Sequence, residues 1–158
     1  SAYREHGASI GEGVRFGRGA VVVARRIVLE DGVEIGDGGL VQCGDVFAAG
    51  ELTVFGPHLE VRCRRVYVGR GGYVARDVRV GGGGHPDPQA LLVVGDLVYL
   101  GDEAFLNAGR PIVAGAEVFV TMRSVLVIPA QTVITPAALY VWVTAVAQGS
   151  LSRWAKLR

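Results

Sequence analysis

The chain has 158 residues, a length that suits a single domain. Half of the residues are hydrophobic, 24 are glycine, and the formal net charge is +1. A chain so close to neutral has no general field to attract nucleic acid or another strongly charged partner, so we expect no nucleic-acid partner.

From residue 8 onward, an apolar or small residue returns at every sixth position, three times in succession, and this triplet occurs seven times. Many of these residues are followed by glycine, and the residue two positions earlier is also apolar or small. A fixed short period of this kind is typical of repeat architectures. The triplets are Ile10, Phe16 and Val22; Leu29, Ile35 and Val41; Ala49, Phe55 and Val61; Val68, Val74 and Val80; Val94, Leu100 and Leu106; Ala114, Val120 and Leu126; and, more faintly, Ile134, Tyr140 and Val146.

Each six-residue unit predicts one short strand followed by a corner. Inward positions two residues apart, such as Ala8 and Ile10, fit a strand, whose side chains alternate between two faces. The glycine that follows permits a tight corner where a Cβ atom would be awkward. Three units make a triangular coil, so the pattern predicts one all-β solenoid domain (1–158) of about seven coils over residues 8–147. An ordinary β-sandwich is the alternative, but its hairpins would not keep a strict six-residue spacing.

The residues that exceed the repeat all fall at one corner. Successive triplets begin 19, 20, 19, 26, 20 and 20 residues apart, whereas an uninterrupted coil needs 18. The spacing within each triplet stays at six, so every insertion follows the third strand and lies on a single edge of the solenoid. The longest insertion contains His85, which follows four glycines and precedes Pro86.

His85 is the candidate catalytic residue of this long insertion. Histidine titrates near neutral pH and can take a proton from a hydroxyl or an amine, and Asp77 or Asp87 would orient it. An incidental histidine in a flexible glycine-rich loop is the alternative. Asn107, one coil further on, would hydrogen-bond a substrate or an oxyanion, or else the backbone of its own turn.

The same edge is rich in arginine, with Asp45 as the main acid among the basic residues. A column of guanidinium groups suits phosphate, because each group presents a fork of donors to a pair of oxygens. This predicts binding of the phosphates of coenzyme A or of an anionic polymer. A solvated edge, kept soluble by arginine, is the alternative. The arginines are Arg25, Arg26, Arg62, Arg64, Arg65 and Arg110.

The spacing of the two cysteines and the three histidines indicates which disulfide or metal sites the chain could form. Cys43 and Cys63 each lie two residues after a third-strand position, so we expect them to be neighbours in successive coils, and free thiols if the protein is cytoplasmic. His6, His58 and His85 do not have the spacing of a three-ligand zinc site, so no metal is expected.

The C-terminal part of the chain raises the question of a membrane span. Residues 124–147 carry no charge and are long enough to cross a bilayer, but they keep the six-residue phase and are interpreted as the last coils. Residues 150–158 predict a short capping helix, because Leu151, Trp154 and Leu157 recur at helical spacing. No signal peptide is visible in the first ten residues, so a cytoplasmic location is expected.

Two segments resemble those of a known family more specifically than the repeat alone does. Gly84-His85-Pro86-Asp87, followed by the coil from Val94 to Gly101, is similar to the His-Pro loop and Ile-Gly-Asp-Asn-Val-Trp-Ile-Gly coil of the sugar and xenobiotic O-acetyltransferases. Ser124–Thr135 resembles the last coil of those enzymes. The chain thus resembles the hexapeptide-repeat acyltransferases over roughly residues 8–147.

The resemblance implies a left-handed parallel β-helix, a homotrimer, and acetyl-coenzyme A or another acyl-coenzyme A as cosubstrate in a groove between subunits. It also implies that His85 is the general base. On this hypothesis Asn107 assists catalysis, Arg64, Arg65 and Arg110 hold coenzyme A, and the acceptor is a small molecule or sugar with a hydroxyl or amine.

Two alternatives to an acyltransferase stay open. Where those enzymes continue with a Gly-Asn-Pro-Ala-Lys segment, this chain continues from Pro136 to Val141, which leaves a non-catalytic solenoid scaffold or polymer as an alternative. A module that binds carbohydrate or anions through the arginine edge is the other. Apolar residues at outward positions support assembly in either case. They are Val23, Val28, Tyr67, Tyr73, Phe105 and Phe119.

Overall fold

The computed structural model describes residues 7–81, 91–107, 112–120 and 122–123, together with the backbone of two further strands near residues 125 and 133. Every regular element within these residues is a β-strand, which confirms the all-β prediction. The strands are β1 (Ser9–Ile10), β2 (Arg15–Phe16), β3 (Val21–Val23), β4 (Arg26–Leu29), β5 (Glu34–Ile35), β6 (Leu40–Ala49), β7 (Val54–Phe55), β8 (Glu60–Val68), β9 (Tyr73–Val74), β10 (Arg79–Gly81), β11 (Leu91–Val94), β12 (Tyr99–Leu100), β13 (Phe105–Asn107), β14 (Ile112–Ala114), β15 (Phe119–Val120), β16 (Val125–Val127) and β17 (Val133–Ile134).

The strands stack as a parallel β-solenoid with three faces. Each strand pairs in parallel with its equivalents one coil before and one coil after. The first face comprises β1, β4, the end of β6, the end of β8, β11, β14 and β17. The second face comprises β2, β5, β7, β9, β12 and β15. The third face comprises β3, the start of β6, the start of β8, β10, β13 and β16.

The register of the ladders follows the six-residue repeat. The predicted repeat positions are Cα partners from coil to coil, and this holds even across the longest insertion, where Val68 pairs with Val94. The six-residue phase is therefore the same on all three faces, although extra residues are inserted after the third strand of each coil. The partners in the first two coils are Ile10 with Leu29, Phe16 with Ile35, and Val22 with Val41.

Both inward positions of each strand fill one continuous apolar core. From Val22 to Val120 the described repeat positions are buried, and so are residues two positions earlier, such as Val33 and Val78, which have no exposed surface. In the first coil Ile10 and Phe16 are partly buried against this core. This alternation of buried and exposed residues is the strand geometry that the period predicted. The repeat positions that we expected to be inward and that are buried include Ile35, Val68, Val74, Val94, Leu100 and Val120.

The glycine after the repeat position lies where a Cβ atom would be awkward, as predicted. Apart from Gly81, it is not in the left-handed region; that backbone conformation lies two residues later, as at Gly13 and Gly19. The glycine is needed because the next coil passes directly over it. A Cβ atom on Gly36 would lie 2.6 Å from the carbonyl carbon of Gly56, and one on Gly50 would lie 2.6 Å from the backbone nitrogen of Arg70.

The left-handed position recurs at the two corners without insertions and does not demand glycine. In the third and later coils it holds Leu52 (φ 57°), His58 (φ 56°) and Asp77 (φ 57°), among others. A non-glycine residue in this region carries a modest conformational cost, which the paired coils on either side offset. The non-glycine residues at these corners are therefore part of the architecture and not by themselves signs of a functional site.

Aspartates two residues after the repeat position link successive coils. The carboxylate of Asp31 accepts a hydrogen bond from the backbone N–H of Glu12 (2.7 Å), and Asp37 accepts one from the N–H of Arg18 (2.8 Å). These carboxylates satisfy amides that the corners leave outside the strand ladders. The Gly-Asp pairs of the repeat thus have a structural role.

The described strands account for six coils and the first strand of a seventh. The rest of the predicted seventh coil and the predicted capping helix, 150–158, lie outside the described residues. Among the residues that the structure describes, no helix has the length and apolar character that a membrane span requires.

Gly36→Ala tests the close approach of the coils. The added methyl group would meet backbone atoms of Gly56 and Pro57, which cannot move without disturbing the ladder, so we expect a loss of roughly 1–3 kcal/mol in unfolding free energy. Gly44→Ala is the matched control, because its nearest neighbour would be Arg64 Cα at an ordinary 3.7 Å. Equal losses in urea denaturation for both variants would contradict the stacking explanation.

Candidate functional site

The insertions lie at the corner between the third face and the first face, as predicted for the described coils. We call this corner the insertion edge; its described residues are 23–26, 42–46, 62–65, Gly81, Leu91, Asn107 and Ile112. Strand β6 carries a bulge here. Cys43 pairs with Cys63 whereas Val46 pairs with Arg65, so the ladder shifts by one residue between them. The bulge accounts for the difference between the 20-residue and 19-residue steps.

The bulge places Asp45 among three arginines. Its carboxylate Oδ2 accepts hydrogen bonds from Arg64 Nε (2.7 Å) and Arg65 Nε (3.2 Å), and its Oδ1 lies 3.6 Å from Arg25 Nη1. We call these four residues the Asp45 cluster. Three guanidinium groups and one carboxylate leave a local charge of about +2 on the surface.

Asp45 is the most shielded member of this cluster. Its side chain is 17% exposed, whereas those of Arg64 and Arg65 are 45% and 47% exposed. The hydrogen bond from Arg64 is the main cause that holds the pKa of Asp45 below its ordinary value; partial burial opposes it, and Arg65 and the charge of Arg25 add to the lowering. The carboxylate therefore stays ionised and orients the guanidinium groups of Arg64 and Arg65 through their Nε atoms.

The other arginines of the edge have different surroundings. Arg62 Nε lies 2.9 Å from the Glu60 carboxylate, so this arginine is held on the third face. Arg26 is exposed in β4 and forms no ion pair with the described residues. Arg110 lies outside the described residues. The predicted column of arginines is thus a cluster around one acid with two further arginines beside it.

His85 lies outside the described residues, but both ends of its segment are placed. The last described residue before this segment is Gly81, the Cα partner of Arg62 in the third-face ladder. The first described residue after it is Leu91, the Cα partner of Arg65 in the first-face ladder. Gly81 has a φ of 149°, and a Cβ atom there would lie 2.7 Å from the Arg62 carbonyl oxygen. The segment that contains His85 is therefore rooted directly above the Asp45 cluster.

Asn107 lies one coil above this root. It is the last residue of β13, is half-buried, and is the Cα partner of Val127. The preceding residue, Leu106, pairs with Val80, which directly precedes Gly81. Asn107 thus belongs to the end of the third face, next to the start of the His85 segment, and the structure leaves its proposed role in catalysis a prediction.

A histidine–aspartate pair lies on another corner. His58 Nδ1 is 3.3 Å from Asp77 Oδ1 at the corner between the second and third faces. Asp77 is therefore engaged with His58 there, away from the insertion edge. The two residues are 19 positions apart, which is the local coil length. Equal repeat positions in successive coils are neighbours, so this spacing could have predicted the pair.

A groove adjoins that corner on the third face. It has a volume of about 500 Å³ and is lined by Asp77, Arg79, Glu103 and Phe105. Arg79 is exposed and forms no ion pair with the described residues. Within the described part of the chain, no three histidine, cysteine or acidic side chains come together as they would around a metal ion.

Asp45→Asn tests the electrostatic role of the bulge. A carboxyl group whose pKa is lowered in the folded state stabilises the fold above its unfolded pKa, near 3.8, and loses this contribution as the pH falls through the lower folded value. We therefore expect the melting temperature of the variant to be below that of the parent chain at pH 7, and the difference to shrink below about pH 4. Glu117→Gln, at an exposed carboxylate, is the control. A difference that stays constant down to pH 2 would contradict this role.

Comparisons with family models, with curated proteins and with solved structures find no match to this chain.

Proposed function

We propose that the chain is an acyltransferase of the β-helix type, which moves an acetyl or other acyl group from coenzyme A to a hydroxyl or amine. One observation carries the proposal: the segment that contains His85 leaves beside Arg62 and returns beside Arg65. A general base and a group of phosphate-binding charges would then share one edge. Long insertions on a rigid solenoid are common places for function.

The Asp45 cluster would supply the binding site for coenzyme A. Its local charge of about +2 suits an anionic ligand, and Arg64 and Arg65 are each about half exposed. Because Asp45 already orients both guanidinium groups, less side-chain entropy is lost when they hold a phosphate. Arg110, two coils further along the repeat, would extend this surface.

His85 would be the general base of the transfer. Its imidazole takes the proton of the acceptor O–H or N–H while the acceptor atom attacks the thioester carbonyl carbon. The carbon–sulfur bond then breaks, and coenzyme A leaves as a thiol once the protonated His85 returns this proton to the sulfur. The side-chain amide of Asn107 would donate a hydrogen bond to the oxyanion between these two steps.

His85→Ala and the pair Arg64→Ala and Arg65→Ala test the two halves of this proposal. Loss of the general base should reduce turnover by roughly 10²–10⁴-fold with little change in the melting temperature. Loss of either arginine should weaken acetyl-coenzyme A binding by about 10- to 100-fold, measured by calorimetry. Arg70→Ala is the control, because this arginine pairs with Asp96 at a different corner.

The enzyme proposal fails if acetyl-coenzyme A neither raises the melting temperature of the parent chain nor binds in calorimetry. It also fails if His85→Ala transfers acyl groups at the parent rate. The acceptor can be surveyed with a panel of amino sugars, sugars and small amines, with release of the coenzyme A thiol as the readout.

We further propose that the protein works as a homotrimer with grooves between subunits. Apolar side chains cover outward positions on two faces, where Tyr67 is exposed on the first face and Tyr73 and Phe119 are exposed on the second. On the second face Tyr99 stacks on Tyr73 (5.7 Å between ring centroids) and on Phe119 (4.6 Å). A continuous apolar strip of this kind is more typical of an interface than of a free surface.

The mass in solution distinguishes the enzyme from a scaffold. Three chains of 16.6 kDa should give about 50 kDa by light scattering at micromolar concentration, and Tyr73→Glu with Phe119→Glu should shift this toward the monomer. Glu12→Lys, at an exposed corner, is the control. A monomer of the parent chain would contradict the trimer, and an open-ended polymer would favour the scaffold, for which the aromatic strip is the supporting observation.

A further inference from the structure

Two cysteines lie side by side at the insertion edge. Cys43 and Cys63 are Cα partners in adjacent parallel strands, and both are free. Their side chains point into the core: Cys43 is 6% exposed and Cys63 has no exposed surface. The pair is thus a buried dithiol that links the second coil to the third.

We propose that Cys43 and Cys63 form an oxidation site, which a hydroperoxide converts into a disulfide between successive coils. One thiolate sulfur attacks the peroxide oxygen, so that an S–O bond forms, the O–O bond breaks and hydroxide leaves. The second thiolate then attacks this sulfenic sulfur, the S–S bond forms, and a second hydroxide leaves. The protons that the two thiols lost convert both hydroxides to water. The two thiols lose two electrons, and hydrogen peroxide is reduced to two molecules of water.

The backbone geometry permits this bond. Adjacent strands lie about 4.8 Å apart, and disulfides span Cα separations of about 4.4–6.8 Å. The bulge begins directly after Cys43, at Gly44 and Asp45. The ladder is already interrupted there, and Gly44 carries no side chain, so the strand can make the small rotation that brings the sulfur atoms together.

Burial makes the reaction slow and strongly dependent on pH. It raises the pKa of both thiols from 9.0 to about 12, and the charge of Cys63 adds to the effect on Cys43. The thiolate fraction at neutral pH is therefore about 10³-fold lower than for an ordinary cysteine, and the greater nucleophilicity of a basic thiolate recovers only part of this. We expect oxidation about 10²-fold slower than that of an exposed cysteine, with a rate that rises roughly tenfold per pH unit from pH 7 to 10.

The cross-link would hold together the two backbone segments that carry the Asp45 cluster. Asp45 lies two residues after Cys43, and Arg64 follows Cys63 directly, so the disulfide would join the two segments whose side chains form that cluster. The dithiol itself does not depend on the proposed transfer reaction, because only the register and burial of the two cysteines are required.

The test is to treat the reduced, folded chain with hydrogen peroxide, block the remaining thiols in denaturant, and map the peptides without reductant. Trypsin separates the two cysteines into peptides 27–62 and 63–64, since Arg26, Arg62 and Arg64 are the cleavage sites. We expect these two peptides to be joined within one chain and to separate on reduction. The oxidised chain should melt roughly 5–10 °C higher than the reduced one, because a loop of about 20 residues is closed.

Cys43→Ala and Cys63→Ala are the controls, and neither should yield the joined peptides or the increase in melting temperature. If these variants do not fold, the comparison of the oxidised and reduced parent chain decides the question alone. Sulfinic acid on separate peptides, links between chains, or linkage that appears only in denaturant would each overturn the proposal.

Discussion

The backbone ladder that joins equivalent residues of successive coils is the constraint on which the rest of this structure depends. Coils that stack in register about 4.8 Å apart place every side chain directly above the residue at the same repeat position. A core position must then be apolar in every coil, because it packs on its equivalents above and below. The same rule fixes Gly36 beneath Gly56, since no Cβ atom fits between two coils at that distance.

Stacking in register also governs the charges. Like charges at one repeat position would lie close together, and the chain avoids much of this by alternating their sign. Arg70 lies beneath Asp96 and Arg76 beneath Asp102, with nitrogen–oxygen distances of 3.5 and 3.6 Å. A corner carboxylate also bonds to the backbone; the N–H of Arg18 is the main cause that holds the pKa of Asp37 below its ordinary value. Exposed pairs of this kind add little stability individually, so their main effect is to make the stacked corners compatible with one another.

The fold could be predicted from the sequence because residues at the same repeat position are Cα partners in successive coils. The phase of Val68 and Val94 survives an eight-residue excess, and the neighbouring cysteines followed from the same count. The sequence also showed that a Cβ atom is excluded at the corner glycine, but not that the next coil is what excludes it. The Asp45 cluster was only partly foreseen. The arginines could be assigned to one edge, but the bulge that turns Asp45 toward Arg64 and Arg65 is a local shift that periodicity does not contain.

His58 and Asp77 were not predicted as a pair, because each residue was considered alone and not as one of two equivalent positions in successive coils.

Confining the extra residues to one edge has a consequence for how such a chain can change. Lengthening a loop costs loop-closure entropy that grows only with the logarithm of its length, about 0.6 kcal/mol for each doubling. At the insertion edge this is nearly the whole cost, because the strands on either side keep their partners whatever lies between them. Gly81 and Leu91 stay paired with Arg62 and Arg65 across the longest insertion. New side chains can therefore be added at this edge, and lost again, while the three faces and their core remain as they are.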